Sequence, residues 1–256
     1  VESKLSSGTW YKFAINKSGV YRLNKSYLNS LGLNTNGIDP RSIKIYGNGG
    51  KMLPYRNNEN FPLDPVENAI KVVGEEDGVF NNDDYVLFYG EGPLGDIEEP
   101  SINTNINPYM DIAYYYITVN GGAGKRIFPM VQPTGAADMT ITTFQDYQFH
   151  EVDEFNLAFV GRRWFGDEFD VETSKTFDFS FPNLVTTEPI DLRVIGASTV
   201  VNDTNMTISF NNNEVGAFVI PGIDDPNFVA EGFFSGGVNA NSDDITVKID
   251  YDKQGN

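Results

Sequence analysis

Cysteine is absent from the chain, and this absence excludes several function classes. There is no thiol nucleophile, no disulfide framework and no thiolate metal site. Histidine is nearly absent: the 256 residues contain one, His150. A zinc centre built on two or three imidazoles cannot be made from this chain alone. A Ser-His-Asp triad would have to use His150. Cations are scarce. Lys and Arg number 18 against 36 Asp and Glu, so the formal net charge is −18. That balance argues against nucleic acid, where affinity comes mostly from cations neutralising phosphates. Long apolar runs are missing as well: no stretch approaches the roughly 20 residues a membrane helix needs, and mean hydropathy is −0.32. No membrane span is expected. Val1-Glu2-Ser3-Lys4 opens without Met or an apolar signal region, which reads as a mature chain or an excised fragment.

Aromatic residues are abundant: 19 Phe, 13 Tyr and 2 Trp. Each buries about 150–250 Å² when interior, so a sizeable core is expected. The length suits one large domain or two ordinary ones. Strand signals dominate. Phe177, Phe179 and Phe181 alternate with polar residues, as do Ile190, Leu192 and Val194, Met206, Ile208 and Phe210, and Ile245, Val247, Ile249 and Tyr251. This period of two describes strands with one buried and one wet face. Asn211-Asn212-Asn213 reads as a hairpin loop.

The first half has shorter strands: Trp10 to Ile15 and Gly19 to Leu23 around the turn Asn16-Lys17-Ser18-Gly19, then Ser42–Tyr46, Ala69–Val73, Tyr85–Tyr89 and Tyr114–Val119. It also holds one helix, over 25–31, with Asn24 as N-cap, Tyr27, Leu28 and Leu31 as its apolar stripe, and Gly32 after its end. Gly90–Pro108 reads as a long loop and Pro129 to Ala137 as a linker. The expected fold class is mainly β, in two β-rich domains. Residues 1–135 form the first, with the short helix. Residues 136–256 form a β-sandwich or jelly roll. The last strand runs into Gly255-Asn256, a turn signal, so the second domain is expected to be truncated at its C-terminal end.

Several clusters carry candidate chemistry. Glu75-Glu76-Asp77 and Asn81-Asn82-Asp83-Asp84, with Gly78 between, form the densest set of oxygen ligands. Asp77, Asp83 and Asp84 are the candidate calcium ligands, since calcium takes six to eight oxygens, although the spacing is not that of an EF-hand. An acidic, solvated hairpin loop is the alternative. No cofactor is required. Asp224-Asp225-Pro226-Asn227 is a weaker cluster of the same kind. His150-Glu151 with Asp153 and Glu154 is the one acid/base-like group, but no nucleophile accompanies it. Arg162, Arg163, Trp164 and Phe165, between Gly161 and Gly166, form a candidate partner-docking loop, because Arg and Trp are favoured interface anchors. An internal cation–π and ion-pair role for the same residues is the alternative. Tyr114 and Tyr116, on one strand face, offer a candidate sugar platform. Gly47-Asn48-Gly49-Gly50 does not follow a nucleotide-binding pattern and reads as a turn. Four Asn-x-Ser/Thr triplets, beginning at Asn16, Asn24, Asn202 and Asn205, are expected by chance in so Asn-rich a chain.

Three segments in order carry a resemblance. The first runs from Trp10-Tyr11-Lys12-Phe13 through Gly19-Val20-Tyr21-Arg22-Leu23 and Leu28–Gly32 to Asp39-Pro40-Arg41-Ser42-Ile43-Lys44-Ile45-Tyr46-Gly47-Asn48-Gly49-Gly50. The second comprises Glu67-Asn68-Ala69, Asp77-Gly78-Val79-Phe80 and Asp84-Tyr85-Val86-Leu87-Phe88-Tyr89-Gly90-Glu91-Gly92-Pro93. The third spans His150-Glu151 to Asn156-Leu157 and Gly161-Arg162-Arg163-Trp164-Phe165-Gly166-Asp167. Together they resemble the N-terminal, non-catalytic region of PorU-like sortases of the type IX secretion system, relatives of the gingipain cysteine peptidases. The resemblance implies a parent on the outer face of a Gram-negative outer membrane that processes the C-terminal sorting signals of secreted cargo. It implies a Cys/His dyad in a downstream catalytic domain of the same polypeptide. It also implies partners in an outer-membrane translocon or shuttle protein and in the cargo signal. No catalytic residue carries over to this chain. The expected function is that of an accessory or docking region. A carbohydrate-binding or adhesin-like β-sandwich is the alternative, and a glycosidase in its own right has no specific support.

Overall fold

The computed structural model describes residues 2–50, 53–54, 56–94, 104–159, 161, 163–224 and 226–253. Arg162, Asp225, the 95–103 part of the Gly90–Pro108 loop and the 254–256 turn signal lie outside the described residues. The fold is mainly β and every ladder between its strands is antiparallel. It divides into two compact units, Val1–Asp138 and Met139–Asn256.

The first unit contains strands β1 (Tyr11–Ile15), β2 (Gly19–Asn24), β3 (Lys44–Tyr46), β4 (Glu67–Asn68), β5 (Lys71–Val73), β6 (Tyr85–Gly90) and β7 (Ala113–Thr118), and the helix α1 (Lys25–Ser30). They form a four-stranded sheet in the order β1-β7-β3-β4 and a three-stranded sheet in the order β2-β6-β5. The helix starts where expected: the Asn24 side chain accepts the Tyr27 N–H at 2.9 Å. It ends at Ser30 rather than residue 31, with Gly32 at φ 96°. Leu28 is its one buried residue, packed in a core with Phe13, Ile45, Val86, Phe88 and Tyr115.

The strands around the turn at Asn16 do not pair with each other. β1 pairs with β7 and β2 with β6, so the turn connects two sheets. The reason lies in the neighbouring chain. The Gly92 N–H donates to Ser18 Oγ at 3.1 Å. A Cβ on Gly92 would lie 2.5 Å from the Lys17 backbone, so the two segments meet backbone to backbone. Ala69–Val73 is likewise not one strand. Its last residues form β5, while Ile70 bridges to Arg126 in parallel. Arg126 clamps this region. Its guanidinium donates to the Glu75 carboxylate at 2.8 Å and to the carbonyls of Ile43, Pro40 and Arg41. Gly47 lies beneath Tyr115, where a Cβ would approach the ring within 2.4 Å, so this glycine-rich stretch serves close packing as well as turning.

The second unit contains β8 (Ser174–Ser180), β9 (Ile190–Ser198), β10 (Thr204–Phe210), β11 (Asn213–Ile220), β12 (Ala230–Val238) and β13 (Asp244–Asp252). Four form a sheet in the order β11-β10-β13-β8, and β12 pairs with β9. Side chains from both layers share one core: Ile208, Phe210, Ile220 and Val247 from the larger sheet meet Val194 and Val238 from the smaller. The architecture is sandwich-like. A jelly roll takes eight strands, and the described residues of this unit supply six. The β10–β11 hairpin turns at Asn211 and Asn212, with φ 47° and 67°, the left-handed conformation that a two-residue hairpin turn requires.

Candidate functional site

The acidic loop of the first unit is built around short-range donors. Glu75–Asp77 form one 3-10 turn between Gly74 and Gly78, at φ 91° and 78°. Glu75 is paired with Arg126 at 2.8 Å. Asp77 accepts the Val79 N–H and the Asn81 side-chain amide, each at 2.9 Å. Asp84 is buried, and its Oδ2 accepts the Asn81 N–H at 2.6 Å. It lies so close over Gly74 that a Cβ there would stand 1.9 Å from Oδ1. Asp83 is exposed. The three candidate calcium ligands therefore do not converge: among the described residues no three His, Asp or Glu side chains are grouped to hold a metal ion. The loop has the chemistry of a self-capped turn, with Asp77 and Asp84 accepting backbone and amide N–H groups and Glu75 held by Arg126.

The sugar-platform residues Tyr114 and Tyr116 share one face of β7, exposed and half-buried respectively, and Tyr115 takes the other, as the strand period requires. Tyr115 is buried and its hydroxyl pairs with the Glu91 backbone, accepting from N–H at 2.8 Å and donating to O at 3.2 Å. Burial pushes its phenol up to about 12. Tyr114 is exposed, but the Lys12 ammonium lies 3.4 Å from its ring centroid and occupies the face a sugar would stack on.

The second unit gathers the remaining candidates. Phe155 and Phe165 exchange backbone hydrogen bonds at 2.7 and 2.8 Å and close a loop over 155–165. Gly161 (φ 77°) lies in it, and Phe159 at φ 55° is almost fully exposed. Past the loop, a Cβ on Gly166 would meet the Val152 carbonyl at 2.2 Å, so the two arms run in backbone contact. Asp167 follows at φ 55° and meets His150 Nε2 at 2.6 Å. The imidazole lies against the Phe177 ring, 4.6 Å between centroids. His150 is thus held by a carboxylate and an aromatic ring of the same unit, and no nucleophilic side chain shares a described contact with it.

Arg163 forms a two-point pair with Glu231 on β12, Nε to Oε1 at 3.1 Å and a second nitrogen to Oε2 at 3.3 Å. Its guanidinium carbon also lies 4.7 Å from the Phe165 centroid. Among the described residues of the loop, the cation–π contact is thus that of Arg163 with Phe165. Trp164 remains partly exposed. The carboxyl of Asp153 is held above the usual range, first by burial and then by Glu151, with Arg163 partly opposing both. No sequence motif pointed to Glu231, because a pairing 68 residues away leaves no local pattern.

No family model matches the chain, and no curated protein sequence matches it. Among solved structures, the crystal structure of dimeric latent PorU from Porphyromonas gingivalis matches with TM-score 0.63 at 21% identity, over 97% of this chain and 23% of that one. The chain therefore has a PorU-like fold and spans less than a quarter of the length of the protein it matches.

Proposed function

We propose that this chain is a non-catalytic accessory and docking region of a larger PorU-like surface protein. The observation that carries the reading is the fold likeness: nearly the whole chain, but under a quarter of the matched protein. The chain has no Cys, so it contributes no thiol nucleophile. The catalytic part of such a parent, a cysteine peptidase or sortase acting on C-terminal sorting signals, would belong to downstream sequence. The setting is the outer face of the outer membrane. No helix among the described residues is long and apolar enough to cross a membrane.

In this reading the 161–167 loop works as a rim rather than a catalytic centre. Trp164 is partly exposed and Phe159, just before it, almost fully so, while Arg163 is braced against Glu231. The partners are the downstream domain, a translocon or shuttle protein, and cargo tails. The gene supplies the test. Codons beyond Asn256 are expected to complete a β-hairpin and then encode a β/α domain containing a His and a Cys. A reading frame that stops there, or continues into sugar-binding modules, overturns the proposal.

A further inference from the structure

The chain holds three Asn-Gly pairs: Asn36-Gly37, Asn48-Gly49 and Asn120-Gly121. Glycine has no side chain to shield its amide nitrogen, and it lets the backbone turn freely. That nitrogen can therefore reach the side-chain carbonyl carbon of the asparagine before it. In a folded chain the reach depends on what holds the two groups apart. The structure holds the three pairs in different ways.

Asn48 is tied by its side chain. Its Nδ2 donates to the carbonyls of Pro62 and Asp64 at 3.3 and 3.2 Å, and its Oδ1 accepts the Val66 N–H at 3.0 Å. Both ends of the amide are engaged, so its carbon turns toward Gly49 only by breaking these bonds. Asn120 is tied by its backbone. Buried Lys44 donates from its ammonium to the carbonyls of Asn120 and Gly121 at 2.9 and 2.7 Å. The Asn120 carbonyl belongs to the same planar peptide unit as the Gly121 nitrogen. Swinging that nitrogen toward the side chain pulls the carbonyl off Lys44.

Asn36 has neither restraint. It and Gly37 are both exposed. Among the described residues the Asn36 side chain makes no hydrogen bond, and neither the Asn36 carbonyl nor the Gly37 N–H takes part in one. The turn around them is closed by the Ile38 N–H on the Thr35 carbonyl at 3.5 Å, a long bond.

We infer that Asn36 is a site of spontaneous deamidation in the folded protein, and that Asn48 and Asn120 are protected by their contacts. The Gly37 nitrogen attacks the Asn36 side-chain carbonyl carbon. A new C–N bond forms, the bond to the side-chain nitrogen breaks, and ammonia leaves carrying the Gly37 amide proton. The product is a five-membered imide. Water then adds to one of its two carbonyls and reopens the ring as an aspartyl or isoaspartyl residue. Overall, a side-chain amide and water become a carboxylic acid and ammonia. Each event adds one negative charge to a chain already at −18. The isoaspartyl form also inserts a methylene into the main chain between Thr35 and Pro40, both buried. None of this depends on what the parent protein does.

The test keeps the full 256-residue chain native in warm, mildly alkaline buffer made with heavy-oxygen water, beside a sample unfolded in urea. Peptide mapping by mass spectrometry follows the label over time. In the native chain, label should enter at residue 36 about tenfold or more faster than at 48 or 120, equivalent to about 1.4 kcal/mol of barrier. In urea the three positions should react at similar rates, because each then presents the same bare pair. Asn36→Gln should remove the acidic variant on ion exchange and leave the melting curve unchanged. Native label at Asn48 or Asn120 matching that at Asn36 overturns the inference. So does a native Asn36 that stays unlabelled while the unfolded chain reacts. The same ranking in urea also overturns it, since the selectivity would then belong to local sequence rather than to the fold.

Discussion

Asp84→Ala separates a self-capped loop from a calcium site. The wild-type carboxylate is buried and accepts the Asn81 N–H at 2.6 Å. Removing it leaves that donor without its charged partner, which costs about 1–3 kcal/mol. Asn81 itself is exposed, so water takes part of the lost role and the lower half of that range applies, about 1–2 kcal/mol. A unit of this size, Val1–Asp138, shifts in melting temperature by roughly 3–5 °C per kcal/mol. The transition of the first unit should therefore fall by about 3–10 °C in calorimetry. Asp84→Asn, which keeps an acceptor in place, should fall by less. Calcium sets the contrast. A site with calcium at 100 times its dissociation constant would stabilise by about 2.7 kcal/mol, a rise of roughly 8–13 °C in wild type that Asp84→Ala would lose. The self-capped loop predicts coincident wild-type melts in millimolar calcium and in chelator, and the same drop for the variant in both. A wild-type melt raised by calcium, with the rise gone in Asp84→Ala, would refute the reasoning.

Other perturbations test other parts of the structure. Asp153→Asn should stabilise the second unit at neutral pH, because a carboxyl whose folded value lies above its unfolded one loses stability as pH rises through it. Its advantage should fade in acid, where wild-type Asp153 is protonated anyway, and an advantage that grows in acid would reverse the sign. Arg163→Ala removes a partly exposed pair with Glu231 and should cost at most about 1 kcal/mol by urea denaturation. A much larger loss would make the loop a structural strut rather than a rim. Tyr115→Phe removes the hydroxyl from the half-buried Glu91 backbone, whose carbonyl also accepts the Gly50 N–H at 2.9 Å, and should cost about 0.5–1.5 kcal/mol. Wild type should also lose stability above pH 10 as pH climbs toward the Tyr115 value of about 12, and the variant should lose less.

What was legible in the sequence follows the range of the interaction. Asn24 as a cap and Asn211-Asn212 as a turn act within a few residues, and both stand where their chemistry demands. Period-two alternation located β8, β9, β10 and β13, since one face of each strand meets a core. The strand β12 was not legible. Gly232, Gly236 and Gly237 interrupt its alternation, and glycine is ordinarily a strand breaker. The structure shows why glycine stands at 232: a Cβ there would lie 2.5 Å from the Val219 carbonyl. The partners of β1 and β2 were hidden for another reason. They lie at the far end of the first unit, β1 with β7 and β2 with β6, and no local pattern encodes a register across such distances. In the candidate site the residue types of the 161–167 loop were visible, but the brace of Arg163 on Glu231 was not.

The number of aromatic residues suggested a large core, and the phenylalanines serve it unevenly. Phe13, Phe80, Phe88, Phe210 and Phe218 are buried. In the 139–193 stretch Phe169, Phe177, Phe179 and Phe181 pack half-buried against the second core, whereas Phe144 and Phe159 are exposed, and acids are interleaved with them: Asp146, Glu151, Asp153, Glu154, Asp167, Glu168, Asp170 and Glu172. Uncovered aromatic surface on strand-forming chain is an aggregation hazard that charges of one sign suppress by repulsion between copies. The same charges discriminate among partners, because an acidic or identical chain is repelled and a basic one is drawn in. Both effects weaken with salt, since the Debye length falls from about 10 Å at 0.1 M to 3 Å at 1 M. Self-association, read by sedimentation, should therefore rise as salt is added, and a chain equally monomeric at about 0.1 M and 1 M salt would refute this role of the charges.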